Sequence, residues 1–303
     1  MPELPEVETV CRTLEKLIAG KTIRRVTVSL PRILQKPDDP VAFAAELEGH
    51  TFQGVERRGK FIRMLLDGVT LVSHLRMEGR YGLFREEEPV EPHTHVIFHF
   101  TDGMALRYKD VRQFGTMHLF SPGEEWRSPP LNKLGIEPLS DAFTLAAFVS
   151  AFGSRTTMIK PLLLNQEIVV GLGNIYVDEA LHAAGIHPQR TADSLKKAEK
   201  RRLHAAIVAT LSAAVEAGGS SVKSYVNGQG EMGMFQHKLR VYGKTGEPCV
   251  VCGSPIEKSV VGGRGTHTCP VCQRRPRNRQ APAAAGRTRR KANAVKRRLD
   301  GRA

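Results

Sequence analysis

The sequence lacks the features that would anchor a protein in a membrane or export it. Its 303 residues contain no run of about eighteen apolar side chains, so we expect no transmembrane helix. The first residues are acidic, whereas a secretory signal begins with basic residues followed by an apolar segment. No internal repeat is evident either. We therefore expect a cytosolic protein that is long enough for two domains and a small third module.

Acidic residues are scarce at the C-terminal end. The chain has a net charge of +14, but residues 273–303 contain twelve Lys and Arg and one Asp, which leaves +3 for the other 272 residues. A basic tail is typical of proteins that bind a polyanion, because neutralised phosphates release counterions. It is equally consistent with a solvated extension, and its few large apolar residues predict disorder in the free protein.

The opening stretch MPELPEVETV combines carboxylates with an apolar face. Helical spacing predicts an amphipathic helix that ends at Gly20. Glu3, Glu6 and Glu8 fall in its first turns, where the helix dipole favours negative charge. We assign Glu8 to solvent. The residues predicted for the buried face are Leu4, Val7, Cys11, Leu14 and Ile18.

Short segments separated by turn residues fill residues 22–120. They are TIRRVTV, KFIRMLL, TLVSHLRM, HVIFHF, MALRYKD and GTMHLF, and they predict an antiparallel sandwich or barrel.

Residues 121–138 are rich in Pro and Gly and indicate a linker between domains. Four helical segments follow between about residues 141 and 217, two of them joined by VGLG. A polar, glycine-rich stretch then extends to residue 236, and loops of that length are often functional.

Four of the five cysteines form two pairs, Cys249 with Cys252 and Cys269 with Cys272. The spacing C-x2-C-x16-C-x2-C predicts a tetrahedral zinc site. Two disulfides are the alternative, which a cytosolic compartment disfavours, and a redox pair would not need two copies. Four protein ligands leave no open coordination position, so the zinc would be structural.

The segment GSPIEKSVVGGRGTHT lies between the two cysteine pairs and predicts a β-hairpin with GGRG at its turn. Arg264 would project from the tip, in a position suited to a phosphate or a DNA groove. An exposed arginine in a turn is also often simply solvated. The fifth cysteine, Cys11, is interpreted as part of the core.

Together these pieces resemble the bacterial formamidopyrimidine-DNA glycosylase family, from residue 1 to about residue 275. The resemblance implies an α+β fold of several domains, in which an N-terminal antiparallel β-sandwich flanked by helices precedes a helix–two-turn–helix domain and a C-terminal zinc-finger β-hairpin. We place these at residues 1–135, 136–235 and 236–275, followed by a disordered basic tail at 276–303. The matching motifs are MPELPEVET, RRGKF, SHLRMEG, DVRQFG, VGLGNIYVDEALHAAGIHP and YVNGQGEMGMFQHKLRVYGKTGEPC.

The resemblance implies that Pro2 is the nucleophile once Met1 has been removed. Attack of its secondary amine on the sugar C1′ would give an iminium, which acidifies the C2′ proton and permits β-elimination. Glu3 would be the acid/base; a cationic amine lowers a carboxylate pKa and burial raises it, and the sequence leaves the balance open. Lys60 and Arg264 would contact phosphate and donate protons in the β- and δ-elimination. Lysines often form Schiff bases, so Lys60 is the alternative nucleophile.

Two further carboxylates would support the site. Glu6 would bond to Glu3 or to backbone, although a role limited to the helix N-terminus is equally consistent with its position. Glu179 resembles a family residue that faces the catalytic centre.

Chemistry at C1′ requires the nucleotide to leave the base stack. Met77, Arg112 and Phe114 match the family residues that fill the gap and hold the orphan base; without those motifs, Met77 and Phe114 would be interpreted as core. Asn174 is predicted as a helix N-cap beside free backbone amides. The glycine-rich stretch 219–235 matches the loop that closes over the everted base. The residues carried over as phosphate contacts are His74, Asn174 and Tyr242.

The activity implied is a bifunctional DNA glycosylase and AP lyase that excises 8-oxoguanine opposite cytosine and formamidopyrimidines. The endonuclease VIII type, which prefers oxidised pyrimidines, shares Pro2 and Glu3, but MPELPEVET and DVRQFG favour the purine enzyme. A catalytically inactive DNA-binding zinc protein would need neither residue. We expect a monomer that acts on double-stranded DNA in the cytoplasm, associated with the nucleoid, with one structural zinc ion, no organic cofactor and no membrane partner.

Overall fold

The structure is a computed structural model that describes residues 1–220 and 234–276. Most of the glycine-rich stretch 219–235 and nearly all of the basic tail 276–303 therefore lie outside the described residues. The helices are α1 (Leu4–Ile18), α2 (Pro40–Ala45), α3 (Leu145–Phe152), α4 (Ile159–Leu164), α5 (Asn174–Ala184) and α6 (Lys197–Glu216). The strands are β1 (Ile23–Val28), β2 (Leu34–Lys36), β3 (Phe52–Arg58), β4 (Phe61–Leu66), β5 (Thr70–His74), β6 (Arg80–Arg85), β7 (Thr94–Phe100), β8 (Met104–Lys109), β9 (Thr116–Phe120), β10 (Glu257–Val261) and β11 (Arg264–Thr268).

Strands β1 to β9 form the two sheets of a sandwich, as predicted. One sheet has the order β1-β7-β8-β6, and the other has the order β2-β9-β5-β4-β3. Neighbouring strands are antiparallel except for the short parallel pair β2–β9. The strands β2, β3 and β6 were not predicted, because β2 has three residues and the other two are mostly half-exposed and lack apolar alternation.

Helix α1 joins two hydrophobic cores. The side chains of its predicted apolar face are buried, and the left-handed Gly20 (φ 77°) follows its end as predicted. Leu4 packs in the core of the helical half, whereas Val7 and the later apolar residues pack in the sandwich core. Glu8 was assigned to solvent, but it forms ion pairs with Arg12 (2.8 Å) and Arg57 (2.9 Å). The first turn of α1 is therefore enclosed by both halves of the molecule.

The helical half surrounds α5. Helices α4 and α6 pack against it, and β11 of the hairpin packs against it as well. The β10–β11 hairpin turns at Gly262 and Gly263, which both have positive φ (57° and 74°), as a two-residue turn of this kind requires. This geometry confirms the predicted hairpin with Arg264 beside its turn. Within the described residues, no helix has the length and apolar character needed to span a bilayer.

Candidate active site

A cavity of about 620 Å³ opens between the N-terminus, the β3–β4 turn, the start of α5 and the β10–β11 turn. Met1 lies at its edge and is half-exposed. The predicted residues that line the cavity are Pro2, Glu3, Glu6, Lys60, Met77, Asn174, Tyr242 and Arg264. The predicted residues outside its lining are His74, Arg112, Phe114 and Glu179.

The Glu3 carboxylate caps the N-terminus of α5. It accepts hydrogen bonds from the backbone amides of Gly173 (2.7 Å), Ile175 (3.0 Å) and Tyr176 (3.3 Å). These amides have no partner within their own helix, and the helix dipole favours an anion there. The prediction of Asn174 as the N-cap is wrong: Gly173 is the N-cap and Asn174 is the first helical residue, because the α1 segment supplies the capping carboxylate.

The VGLG segment lets two chain segments approach closely. A Cβ at Gly173 would lie 2.3 Å from the Glu3 Cδ, and a Cβ at Gly171 would lie 2.6 Å from a Leu4 methyl carbon. The Leu4 amide also donates to the Gly171 carbonyl at 3.0 Å. These glycines therefore determine where the Glu3 carboxylate lies.

Burial dominates the electrostatics of Glu3. Its side chain is 3% exposed, and the loss of water raises the pKa of Glu3 to about 7. The charge of Lys60 and the amide hydrogen bonds lower this pKa, while the nearby Glu6 raises it. The sequence left open whether burial or the neighbouring cation determines the pKa of Glu3, and in the structure the effect of burial is larger. Near neutral pH the carboxyl group can therefore both donate and accept a proton.

Two amines face this carboxylate. Lys60 follows Gly59 in the β3–β4 turn and is 6% exposed; burial lowers its pKa, the charges of Glu3 and Glu6 oppose that change, and Arg264 adds to it. Burial likewise lowers the pKa of the Met1 α-amino group, against the same two carboxylates. Both amines are thus more easily deprotonated than in water.

Glu6 connects the first turn of α1 to the helical half. One carboxylate oxygen accepts from the Glu3 amide at 2.9 Å. The other accepts from the Tyr176 hydroxyl (2.6 Å), the Ser220 amide (2.7 Å) and the Ser220 hydroxyl (3.0 Å). It therefore supports its own helix and also binds the other half of the molecule. Sequence reasoning missed Tyr176, although it lies in the GLGNIYVDE motif.

The predicted gap-filling residues are exposed. Met77 is 36% exposed and Phe114 is 54% exposed, which excludes both from the core. The Arg112 guanidinium lies 5.2 Å from the centre of the Phe114 ring. The buried Asp110 accepts from the amides of Arg112 (3.1 Å), Phe114 (3.0 Å) and Gly115 (2.8 Å), so it shapes this loop. Sequence reasoning missed Asp110, although an aspartate at the start of a loop often accepts hydrogen bonds from the backbone amides that follow it.

His74 is buried against Phe61, with ring centres 4.5 Å apart. Its Nδ1 accepts from the Arg76 amide at 2.9 Å, which puts the proton of the neutral ring on Nε2. Burial lowers the pKa of His74 to about 3, and the neighbouring cations Arg76 and Lys60 act in the same direction. At neutral pH this residue is therefore an uncharged donor.

Glu179 does not lie at the cavity, contrary to the expectation that it faces the catalytic centre. Its carboxylate accepts from the backbone amides of Arg240 (2.9 Å), Val241 (2.9 Å) and Tyr242 (2.8 Å). The physical reason is the direction of its side chain on α5, which points toward the segment before the cysteines. Glu179 thereby holds the backbone that places Tyr242 at the cavity.

A buried ion pair anchors the hairpin, and sequence reasoning missed it. Lys160 and Asp178 are at most 1% exposed, and their Nζ and Oδ1 atoms are 2.6 Å apart. Lys160 also donates to the Gly265 carbonyl at 3.0 Å, and Asp178 accepts from the His267 amide at 2.9 Å. Both contacts hold β11, which begins at Arg264. The sequence did contain a signal for this pair, because Lys160 and Asp178 each lie within an apolar helical segment, where a buried charge needs a partner of opposite sign.

The four predicted zinc ligands lie together. Their Sγ atoms are all within 4.8 Å of one another, with Cys252 and Cys269 3.4 Å apart and Cys249 and Cys272 3.9 Å apart. Tetrahedral zinc with bonds of about 2.3 Å places sulfurs about 3.8 Å apart, so the cluster fits that ion. All five cysteines are free thiols, which disagrees with the disulfide alternative. His182 Nε2 lies 3.4 Å from the Cys249 Sγ.

Three family models match the chain in order. They are the formamidopyrimidine-DNA glycosylase N-terminal domain at residues 1–117, the formamidopyrimidine-DNA glycosylase H2TH domain at residues 134–226, and the zinc finger found in FPG and IleRS at residues 246–275. The formamidopyrimidine-DNA glycosylase of Brevibacillus brevis is 61% identical over 274 residues, which are 90% of this chain and 99% of that protein. That of Cytobacillus firmus is 60% identical over 273 residues, 90% of this chain and all of that protein. The chain belongs to the formamidopyrimidine-DNA glycosylase family.

Solved structures of this family share the fold. A Lactococcus lactis FPG mutant in complex with Fapy-dG-containing DNA superimposes with a TM-score of 0.85 at 43% identity, over 90% of this chain and all of that chain. The complex of Lactococcus lactis Fpg with abasic-site DNA gives a TM-score of 0.84 at the same identity and coverage. The predicted family, fold and zinc finger are therefore confirmed, and the protein is a member of a family of DNA glycosylases.

Proposed function

We propose that the protein is a bifunctional DNA glycosylase and AP lyase of base excision repair that excises oxidised purines from double-stranded DNA. The proposal rests on the arrangement of Pro2, Glu3, Lys60 and Arg264 around one cavity. Once Met1 is removed, Pro2 would supply a buried amine beside an acid/base with a pKa of about 7 and two cations for phosphate groups, a combination that suits glycosidic cleavage followed by elimination. The names of the relatives and the DNA in the Lactococcus lactis complexes support this substrate class.

In the proposed reaction, the Pro2 nitrogen attacks C1′ of the damaged nucleotide after removal of Met1. The N–C1′ bond forms while the glycosidic bond breaks, and the base leaves with a proton from Glu3. The Glu3 carboxylate then takes the N–H proton of the attached amine and gives it to O4′, so that the C1′–O4′ bond breaks and the nitrogen lone pair forms the C=N bond of the iminium. The resulting iminium withdraws electrons from C2′, so the Glu3 carboxylate can remove the C2′ proton as the 3′ phosphate departs. A second elimination releases the 5′ phosphate.

The remaining residues have proposed roles around this centre. Lys60 and Arg264 would hold the phosphates and protonate the leaving oxygens in the β- and δ-elimination. Met77, Arg112 and Phe114 would occupy the gap left by the everted nucleotide, which the exposure of Met77 and Phe114 supports. His74, Asn174 and Tyr242 would contact phosphate, while Glu6 and Glu179 would support the site through the contacts described above.

Borohydride trapping of the covalent intermediate on 8-oxoguanine DNA, followed by peptide mass mapping, tests the nucleophile. We expect the adduct on the N-terminal Pro2, and an adduct on Lys60 would contradict this assignment. The intact mass of the active protein should correspond to a chain without Met1, because a retained methionine blocks the amine. Efficient trapping by a protein that keeps Met1 would also exclude Pro2.

The Glu3→Gln variant separates an enzyme from a DNA-binding protein without activity. It removes the proton donor but keeps the size of the side chain, so we expect binding of lesion DNA close to that of the wild type. Single-turnover base excision should fall by about 10²- to 10⁴-fold. Unchanged excision would refute the acid/base role.

The preferred lesion is tested by comparing two duplexes. We expect faster cleavage of 8-oxoguanine paired with cytosine than of thymine glycol, in agreement with the motifs that favour the purine enzyme. A Lactococcus lactis Fpg complex contains an oxidised pyrimidine, so the second substrate is a meaningful competitor. A preference for thymine glycol would assign the endonuclease VIII type of activity.

We also propose the four-part division of the chain at residues 1–135, 136–235, 236–275 and 276–303. The separate hydrophobic cores of the sandwich, the helical half and the cysteine module support its first three parts. The protein would act as a monomer on chromosomal DNA, at the nucleoid in the cytoplasm.

A further inference from the structure

The linker between the sandwich and the helical half contains a carboxylate that binds two arginines. Glu137 accepts from Arg57 at 2.9 Å and from Arg58 at 3.1 Å. The three side chains are only 11–17% exposed, so their attraction is screened less than that of a surface pair. Glu8 binds the other side of Arg57 at 2.9 Å and also pairs with Arg12 at 2.8 Å.

This cluster holds both peptide groups of the residue before Lys60. The Gly59 amide donates to the Glu137 carboxylate, and the Gly59 carbonyl accepts from Arg57 at 3.0 Å. Gly59 is in the left-handed region with φ 58°, and its Cβ position is 3.1 Å from Val170. The Gly59 amide is therefore bound directly by the linker, and its carbonyl is bound by Arg57 of β3, which Glu137 also binds.

The linker is in turn hydrogen-bonded to residues 166–170, which directly precede the glycines that contact Glu3 and Leu4. The Gly135 amide donates to the Gln166 carbonyl (2.9 Å), and the Val170 amide donates to the Ile136 carbonyl (3.1 Å). Arg58 adds hydrogen bonds to the carbonyls of Leu134 (3.0 Å) and Gly135 (2.6 Å). The next residue after Val170 is the glycine whose carbonyl accepts from the Leu4 amide. Hydrogen bonds, together with the peptide links between Ile136 and Glu137 and between Val170 and Gly171, thus join the Lys60 turn to the start of α1.

We propose that Glu137 is a positioning residue of the reaction, which fixes Lys60 relative to Glu3 by clamping the Gly59 turn to the linker. This inference rests on the proposed function, because it gives Lys60 a role at the reacting centre. Lys60 lies on the sandwich, whereas the α5 terminus that binds Glu3 lies on the helical half. Glu137 is the carboxylate that contacts the Lys60 turn from the segment between these halves.

A double-mutant cycle between Glu137→Gln and Lys60→Ala tests this proposal. Glu137→Gln keeps the shape but removes the charge, so we expect kcat for cleavage of abasic-site DNA to fall by about 10- to 100-fold, with little change in KM. If Glu137 acts through Lys60, the double variant should be no slower than Lys60→Ala alone. Multiplying effects, or an unchanged kcat for Glu137→Gln, would overturn the proposal.

Two further variants keep this experiment decisive. Glu124→Gln removes a linker carboxylate that binds Lys36 and does not contact Gly59, and we expect its kcat to equal that of the wild type. If Glu137→Gln does not fold, Arg57→Lys replaces it, because it keeps the charge but cannot join Glu137 and the Gly59 carbonyl with one planar group. A wild-type protein without lyase activity would instead refute the proposed function itself, and a fully active Lys60→Ala would refute the role of Lys60 together with its positioning.

Discussion

At the scale of single residues, the chemistry of the site depends on how much water surrounds each charge. Glu3 receives three backbone amides and faces a lysine, and both stabilise the carboxylate. Its burial opposes them and raises its pKa to about 7. A single side chain can therefore cap a helix and exchange a proton near neutral pH, which an exposed glutamate would not do.

The pH dependence of base excision should report this shift. The general acid must carry its proton, and a group with a pKa of about 7 loses it as pH rises through that value. We expect single-turnover excision to decline between about pH 6 and pH 8.5, although an unperturbed glutamate would already be ionised throughout that range. Binding to lesion-free duplex over the same range provides the control, and a flat excision rate would contradict the protonated form of Glu3.

His182 is a second residue whose contact makes a measurable prediction. Its Nε2 lies 3.4 Å from the Cys249 Sγ, and a hydrogen bond to a zinc-bound thiolate stabilises the ligand. His182→Ala should weaken zinc binding by about 10- to 100-fold, as measured by competition with a chromophoric chelator. His187→Ala is the matched control, because its Nδ1 accepts from the Gln189 amide instead. Equal zinc affinity of the two variants would show that the contact between His182 and Cys249 does not contribute to zinc binding.

At the scale of elements, α5 organises the site. Its N-terminus binds Glu3, and Asp178 binds the backbone of β11. Glu179 binds the backbone at residues 240–242, and His182 contacts a predicted zinc ligand. The sandwich, the hairpin and the cysteine cluster therefore all take their positions from one helix of eleven residues.

The close approach of Glu3 to α5 predicts a strong effect of one methyl group. In Gly173→Ala the new Cβ would lie 2.3 Å from the Glu3 Cδ, so the carboxylate must move and leave the amides of α5 unbound. We expect a lower melting temperature and an excision rate reduced by about 100-fold, since misplacement of about 1 Å can cost that much. In the control Gly54→Ala, the nearest atom to the Cβ would be 3.7 Å away, and activity should persist. Equal activity of the two variants would contradict the assigned contact.

At the scale of the whole molecule, charge is distributed unevenly. Residues 1–272 have a net charge of only +3, whereas residues 273–303 add +11. The proposed catalytic residues and the cysteine cluster lie within the weakly charged part. Much of any nonspecific attraction to DNA should therefore depend on the tail, because that term scales with the number of phosphates neutralised.

Deletion of residues 276–303 tests this division. It removes ten Lys and Arg and one Asp. A plot of log binding constant against log salt concentration should become shallower by about 0.9 for every phosphate that the tail neutralises in the full-length protein. A neutral tail of equal length controls for chain length, and single-turnover excision at saturating enzyme should not change. The same salt slope in the deleted protein would exclude a contribution of the tail to DNA binding.

The sequence by itself determined the local features of the protein and its family. Apolar periodicity predicted α1 and the larger helices, strand-like segments predicted the sandwich, and cysteine spacing predicted the metal cluster. These features depend on residues near one another in the chain, so a short window contains the necessary information. Strands β2, β3 and β6 were not predicted. Strand β2 has only three residues, and β3 and β6 are mostly half-exposed and lack apolar alternation.

Only the tertiary structure decided how distant segments act on one another. It showed that Glu3 caps α5, that Glu179 faces residues 240–242, that Met77 and Phe114 are exposed, and that Glu137 binds the Lys60 turn. Burial and hydrogen bonding at these positions come from residues far away in the sequence. The sequence therefore identified most of the groups in the site, while the folded chain determined which of them meet and whether they are charged.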